Sequence, residues 1–197
     1  LPEAPHAKGG LRVTTLADIY AVKTRFHRSV DLLQDVGRPG ALDGYVLTQQ
    51  AGDLARRITE GLINRSTERA WALTGPYGAG KSAFALYLAN LLGNGEWPAH
   101  ERAVSLLRST PARAGAHTAT APRLAALYRK RSRGFLTALV SGSRRAFVPA
   151  LLDRIAHGVR QFFGQKARGR AYLDEIELLA KKRGKGAVEE ALCDLLR

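Results

Sequence analysis

The fold expected for this chain is decided by the stretch Gly75-Pro76-Tyr77-Gly78-Ala79-Gly80-Lys81-Ser82. It fits the phosphate-binding loop pattern G-x-x-x-x-G-K-[ST], in which the two fixed glycines let backbone N–H groups approach phosphate oxygens. Lys81 offers an ammonium group to the β- and γ-phosphates, and the hydroxyl of Ser82 can bind a magnesium ion. The positive N-terminal end of the helix that follows would point at the same phosphates. The pattern predicts that residues 75–82 bind a nucleoside triphosphate.

The residues on both sides of this loop favour a strand before it and a helix after it. Residues 69–74 are a short, mostly apolar run, which is typical of a buried strand. Apolar residues recur at helical spacing after Ser82, and Gly93 is placed to end that helix. Residues 134–140 predict a second buried strand, and the apolar positions between Val148 and Phe163 predict a long helix that Gly164 ends. Strands that alternate with helices predict an α/β fold with a parallel sheet.

An amphipathic helix is also expected before the loop. Leu54, Ile58 and Leu62 stand four residues apart, and Thr48 is a suitable N-cap. Residues 1–44 are interpreted as an N-terminal lead and linker, and residues 45–197 as the nucleotide-binding domain.

The loop with its flanks, about residues 69–92, resembles the P-loop NTPase superfamily. The resemblance implies a three-layer sandwich around a parallel sheet, with Gly75, Gly80, Lys81 and Ser82 contacting ATP and Ser82 contacting Mg²⁺. A weaker resemblance, over residues 43–48, 75–85 and 140–144, is to the N-terminal region of large AAA-like ATPases of bacterial phage defence, such as those of BREX systems. This second resemblance implies a later Walker B strand that ends in acidic residues.

The acidic residues that ATP hydrolysis normally needs are not evident. Hydrolysis requires an apolar strand that ends in Asp or Asp-Glu, to hold magnesium and position water. The Asp-Glu pair of this chain, Asp174-Glu175, follows a segment with two arginines and a glycine, and Leu173, Ile176 and Leu179 fit a helix instead. We therefore expect solvated acids on a helix, with the Walker B reading as the alternative and no catalytic residue assigned.

Composition narrows the class of protein. The chain has 197 residues, 45% of them apolar, and a single cysteine, so it is expected to be globular and free of internal disulfides. No apolar run approaches the roughly 20 residues that span a bilayer, and no signal-peptide pattern is present, so a cytoplasmic location is expected. The sequence stops within the helical pattern of residues 187–196, from which we expect an incomplete domain, the N-terminal part of a larger protein.

Positive charge is concentrated in the second half. Residues 1–100 contain 11 Lys/Arg and 9 Asp/Glu, whereas residues 101–197 contain 20 and 8. The basic clusters lie at 129–133, 144–145, 166–170 and 181–185. They could neutralise the phosphates of DNA or RNA, or they could be ordinary solvated surface, and the sequence leaves both interpretations open.

The function predicted from the sequence is an ATP-binding domain of a larger ATPase that acts as a motor or switch. The alternatives are a nucleotide-gated nucleic-acid-binding module and a non-catalytic scaffold. No Asn-Lys-x-Asp motif for guanine is present, which favours adenine. Protein partners or a homo-oligomer are also conceivable for such a domain.

Overall fold

The described part of the chain is helical. The structure is a computed structural model, and it describes residues 30–64, 70–113, 118–130, 133–142 and 146–181. Within these ranges the helices are α1 Leu32–Asp35, α2 Gln49–Ile63, α3 Lys81–Leu92, α4 Pro98–Ser109, α5 Thr120–Lys130, α6 Phe147–Phe163 and α7 Ala167–Lys181. Residues 1–29 of the predicted lead and linker (residues 1–44) and the apolar pattern of residues 187–196 lie outside the described residues. The boundary at residue 44 stays a prediction.

The predicted α/β sandwich is wrong, because the described residues form no strand and no sheet. Residues 70–76 and 136–142 are irregular, and Ala72–Gly75 are exposed although a strand at the centre of a sheet would be buried. Apolar runs form strands only when a neighbouring strand accepts their backbone hydrogen bonds. Here the apolar side chains pack sideways onto helices instead: Trp71 and Phe135 both lie against the helical core. The backbone N–H of Phe135 donates to the carbonyl of Leu92, at the end of α3 (2.9 Å).

Helix α3 lies at the centre of the main core. Its apolar residues occur on all sides, as expected for a helix surrounded by protein, and it contacts α1, α2 and α4. Its buried side chains include Phe84, Leu86, Tyr87, Leu91 and Leu92. The ring of Tyr87 stacks on that of Tyr45, with centroids 5.5 Å apart, and burial raises the pKa of the Tyr87 phenol.

Local capping patterns place three helices as predicted. Thr48 is the N-cap of α2, and its hydroxyl accepts from the N–H of Ala51 (3.3 Å). Gly93 is the C-cap of α3, and Gly164, at φ 58°, is the C-cap of α6. The predicted helices at these places are therefore confirmed.

Buried polar side chains connect elements that are distant in the sequence. The amide oxygen of Asn90 accepts from the N–H of Gly37 (2.9 Å), which fixes the segment after α1 to α3. The guanidinium of Arg56, on α2, donates to the carbonyls of Leu107 (2.9 Å) and Thr110 at the end of α4, where carbonyls have no partner within a helix. These contacts hold α1, α2 and α4 around α3.

The end of α3 is held by a second cluster of contacts. The Tyr128 hydroxyl donates to the carbonyl of Gly93 (2.6 Å), and the Tyr128 ring packs on the imidazole of His100 with centroids 4.2 Å apart. Burial raises the pKa of Tyr128 and lowers the pKa of His100. Gly134, at φ 59°, passes so close that an added Cβ would collide with the Gly93 carbonyl and the Tyr128 hydroxyl.

Helices α6 and α7 form an antiparallel hairpin with a small core of its own. It buries Leu152, Ile155, Ala156, Val159, Ile176 and Leu179. Gly158 lets α6 approach the carbonyl of Thr137, and Arg133 donates to the carbonyl of Phe162. Residues 133–140 therefore connect the hairpin to the main core.

We predict that Gly134→Ala lowers the free energy of unfolding by about 3 kcal/mol, because strain at a positive φ adds to a backbone collision. Gly142→Ala is the matched control, since a Cβ there meets nothing within 4 Å. Urea titrations followed by circular dichroism measure both variants. Equal stability of the two variants would contradict the packing described for residue 134.

Candidate phosphate-binding loop

Residues 75–80 form an exposed loop directly before α3. Gly78 and Gly80 have φ angles of 83° and 81°, in the left-handed region that favours glycine. A Cβ added to either residue meets nothing within 4 Å. Backbone conformation, and not packing, therefore requires glycine at these two positions, and space for a ligand remains beside the loop.

The first turn of α3 is open at its N-terminus. Gly80 is the N-cap and provides no side-chain hydrogen bond to the first turn. The N–H groups at the start of a helix have no partner within the helix, and the helix dipole makes this end positive. Ser82 lies exposed in this turn, so its hydroxyl can be reached by a ligand.

Lys81 folds back across the loop. Its Nζ donates to the carbonyl oxygens of Gly75 (2.8 Å) and Pro76 (2.7 Å). The carbonyl of Pro76 also accepts from the N–H of Ala79 (3.3 Å), which closes a turn within the loop. The ammonium group is thus held above the same loop whose glycines leave room for an anion.

Contacts within the motif join Lys81 to Gly75 and Pro76, and the loop combines three features that attract anions. These features are the free start of a helix, glycines in left-handed conformation and a lysine ammonium. Neutral carbonyl oxygens bind the ammonium more weakly than charged phosphate oxygens do. A polyphosphate can therefore replace Gly75 and Pro76 as the partner of Lys81.

The loop is open on the side away from α3. Tyr77 is fully exposed at its tip, and residues 72–80 are exposed throughout. A cavity of about 510 Å³ lies elsewhere and is lined by Leu62, Arg123 and Phe135, among other residues. The features of the loop that attract anions carry no preference for a particular nucleotide base.

That cavity was not predicted from the sequence. Arg123, at its edge, pairs with Glu60 and donates to Asn64, which are 63 and 59 residues away. Such contacts follow from the packing of α5 on α2, which no local pattern encodes.

The predicted magnesium ligand is one residue of the loop, Ser82. The hydroxyl of Ser82 suits Mg²⁺, which prefers oxygen ligands, and within the described ranges no group of three His, Cys, Asp or Glu could hold a metal ion. Asp174 and Glu175 lie exposed on α7, so the helical interpretation of this pair is confirmed and the Walker B strand reading is wrong.

The basic residues of the second half are only partly described. Arg129, Lys130, Lys166, Arg168 and Arg170 are exposed. Arg133 instead donates a hydrogen bond to the carbonyl of Phe162. The clusters at 144–145 and 182–185 lie outside the described residues. Binding of DNA or RNA by residues 101–197 stays a prediction.

No helix in the described part of the chain has the length and apolar character needed to cross a membrane. The comparisons with protein families, with curated proteins and with solved structures give no match. The resemblance to P-loop NTPases therefore depends on residues 75–82 and their surroundings alone.

Proposed function

We propose that residues 75–82 bind the phosphates of a nucleoside triphosphate, with ATP and Mg²⁺ as the expected ligands. The observation that carries this proposal is the Lys81 ammonium held over a glycine loop at the open start of α3. Each of these features attracts anions, and the three occur within eight consecutive residues.

The roles of the residues follow from their positions. The N–H groups of Gly78, Gly80 and the first turn of α3 would donate to phosphate oxygens. Lys81 would exchange its two carbonyl partners for β- and γ-phosphate oxygens. Ser82 would provide one oxygen ligand to magnesium, which when bound neutralises phosphate charge.

The loop is preorganised for this role although the described residues around it form no sheet. Its two left-handed glycines fix the turn, and the buried helix α3 fixes one end of it. At the other end Trp71 packs against the main core, four residues before Gly75. A binding loop held at both ends loses less conformational entropy when its ligand binds.

The broader role proposed for the domain is that of an ATP-binding motor or switch within a larger ATPase. Its support is the loop together with the P-loop resemblance. The assignment to phage-defence ATPases, the preference for adenine and the location in the cytoplasm stay predictions of the sequence.

We predict that Lys81→Ala weakens binding of Mg·ATP by about 10- to 100-fold, because a charged hydrogen-bond donor contributes about 1.5–3 kcal/mol. Isothermal titration calorimetry measures both proteins. Lys166→Ala, which removes an exposed ammonium in the α6–α7 turn, is the matched control and should bind as the wild type does. Equal affinity of the wild type and Lys81→Ala would refute the proposed site.

We predict that this chain alone turns over ATP more slowly than about 1 s⁻¹, the lower end of common enzyme rates. Asp174 and Glu175 are solvated residues of α7, so Asp174→Asn and Glu175→Gln should leave the rate unchanged. A phosphate-release assay measures all three proteins. Faster turnover that either substitution abolishes would show that these carboxylates act in hydrolysis.

A further inference from the structure

The cavity of about 510 Å³ lies between the end of α2, one side of α5 and the segment that follows α5. Two of the described residues that line it are cationic, Arg123 and Lys130, and the others are apolar. The apolar ones are Leu62, Ile63, Ala126, Leu127 and Phe135. Sites for small molecules are usually clefts of about 300–1,000 Å³ with mostly apolar walls and a few polar groups. This cavity has the size and the lining of such a site.

Contacts on both sides hold the walls of the cavity in place. Arg123 pairs with Glu60 and donates to Asn64, which fixes α5 to the end of α2. The N–H of Phe135 donates to the carbonyl of Leu92 (2.9 Å), which fixes the third wall to the end of α3. A ligand would therefore enter a cavity that exists before it binds, and little ordering of the protein would oppose binding.

Helix α5 gives the cavity an apolar strip with a cation at each end. Arg123, Ala126, Leu127 and Lys130 are spaced by three, one and three residues, so they lie along one side of the helix. At 1.5 Å per residue, the two cationic positions are about 10 Å apart along the helix axis. The strip favours a ligand with an apolar body and an anionic end.

The two cations differ in how far they are already neutralised. Arg123 has Glu60 as its partner, and the Glu60 carboxylate also accepts from the amide of Asn64 (3.0 Å). Lys130 is exposed, and within the described ranges its ammonium forms no ion pair. No acidic side chain occurs among the described residues that line the cavity. An anion is therefore attracted to the Lys130 end, and no lining carboxylate repels it.

The length of the strip limits the length of the ligand. An extended chain of single bonds advances about 1.2 Å per bond, so a chain of about ten carbons covers the distance between the two cationic positions. Its methylene groups would contact Ala126 and Leu127, which are only partly buried without it. Burial of apolar surface on both partners then drives binding.

We propose that this cavity binds an aliphatic carboxylate of about ten carbons, with its chain along Ala126 and Leu127 and its carboxylate at the Lys130 ammonium. Arg123 positions the wall through Glu60, and Lys130 recognises the charge. The site is separate from residues 75–82, and the proposal does not depend on nucleotide binding there.

The test is isothermal titration calorimetry of the full-length chain with decanoate. We expect Lys130→Ala to weaken binding by about fivefold, because an ion pair at an exposed ammonium contributes modestly. Arg129→Ala is the matched control. It removes the same charge from the neighbouring exposed position of α5, and Arg129 is not among the described residues that line the cavity. This control should bind decanoate as the wild type does.

Two further comparisons separate the charge of the ligand from its chain. Decanol and decylammonium have the same chain without the negative charge, and each should bind the wild type at least about fivefold more weakly than decanoate. Ala126→Leu fills the apolar strip and should weaken decanoate binding at least about tenfold, because the added side chain occupies the space of the ligand. Leucine is a good helix former, and circular dichroism checks that this variant retains its helices.

Four results would overturn the proposal. The first is the absence of decanoate binding to the wild type. The second is binding of decanol as tight as that of decanoate. The third is an equal effect of Lys130→Ala and Arg129→Ala. The fourth is loss of decanoate binding in Lys81→Ala, which would place the carboxylate in the phosphate-binding loop instead.

Discussion

The burial of α3 is the constraint on which the rest of the structure depends. Its apolar residues face every side, so it is stable only when α1, α2 and α4 surround it. That packing covers the sides of α3, so a ligand could approach it at its ends. The C-terminal end is covered by Tyr128, Gly134 and Phe135. The N-terminal end remains open and continues into the glycine loop.

An anion site at the end of a buried helix does not require a sheet. The positive end of the helix, the left-handed glycines and the lysine are all local to residues 75–82. What a sheet normally adds is a rigid support for the residues before the loop. Here that support is reduced to the packing of Trp71 on helices, while residues 72–74 are exposed. The chemistry proposed for the loop therefore does not depend on a sheet around it.

Local sequence patterns correctly predicted the helix ends, because these depend on residues that are close together in the chain. Thr48, Gly93 and Gly164 end or begin helices through contacts with residues next to them in the chain, so each was evident before the structure. The predicted strands at 69–74 and 134–140 are wrong over their described residues, 70–74 and 134–140. A strand needs a neighbouring strand to pair with, and an apolar run is equally able to pack against helices.

Contacts between residues that are distant in the chain could not be predicted from the sequence, because they too depend on how the elements pack. The bond between Asn90 and Gly37 joins residues 53 apart. The eight residues of the candidate site are those of the motif, and their role in binding phosphate stays a prediction. The motif did not predict that the Lys81 ammonium binds the carbonyls of Gly75 and Pro76, because that depends on how the loop closes.

The most direct test of the phosphate site is a set of two-dimensional ¹H–¹⁵N NMR titrations with Mg·ATP, tripolyphosphate and adenosine. If the loop binds phosphates, both polyphosphates shift the amide signals of Gly78, Gly80, Lys81 and Ser82, and adenosine leaves them in place. If these signals do not move with either polyphosphate, the loop does not bind phosphate and the account of its function is wrong.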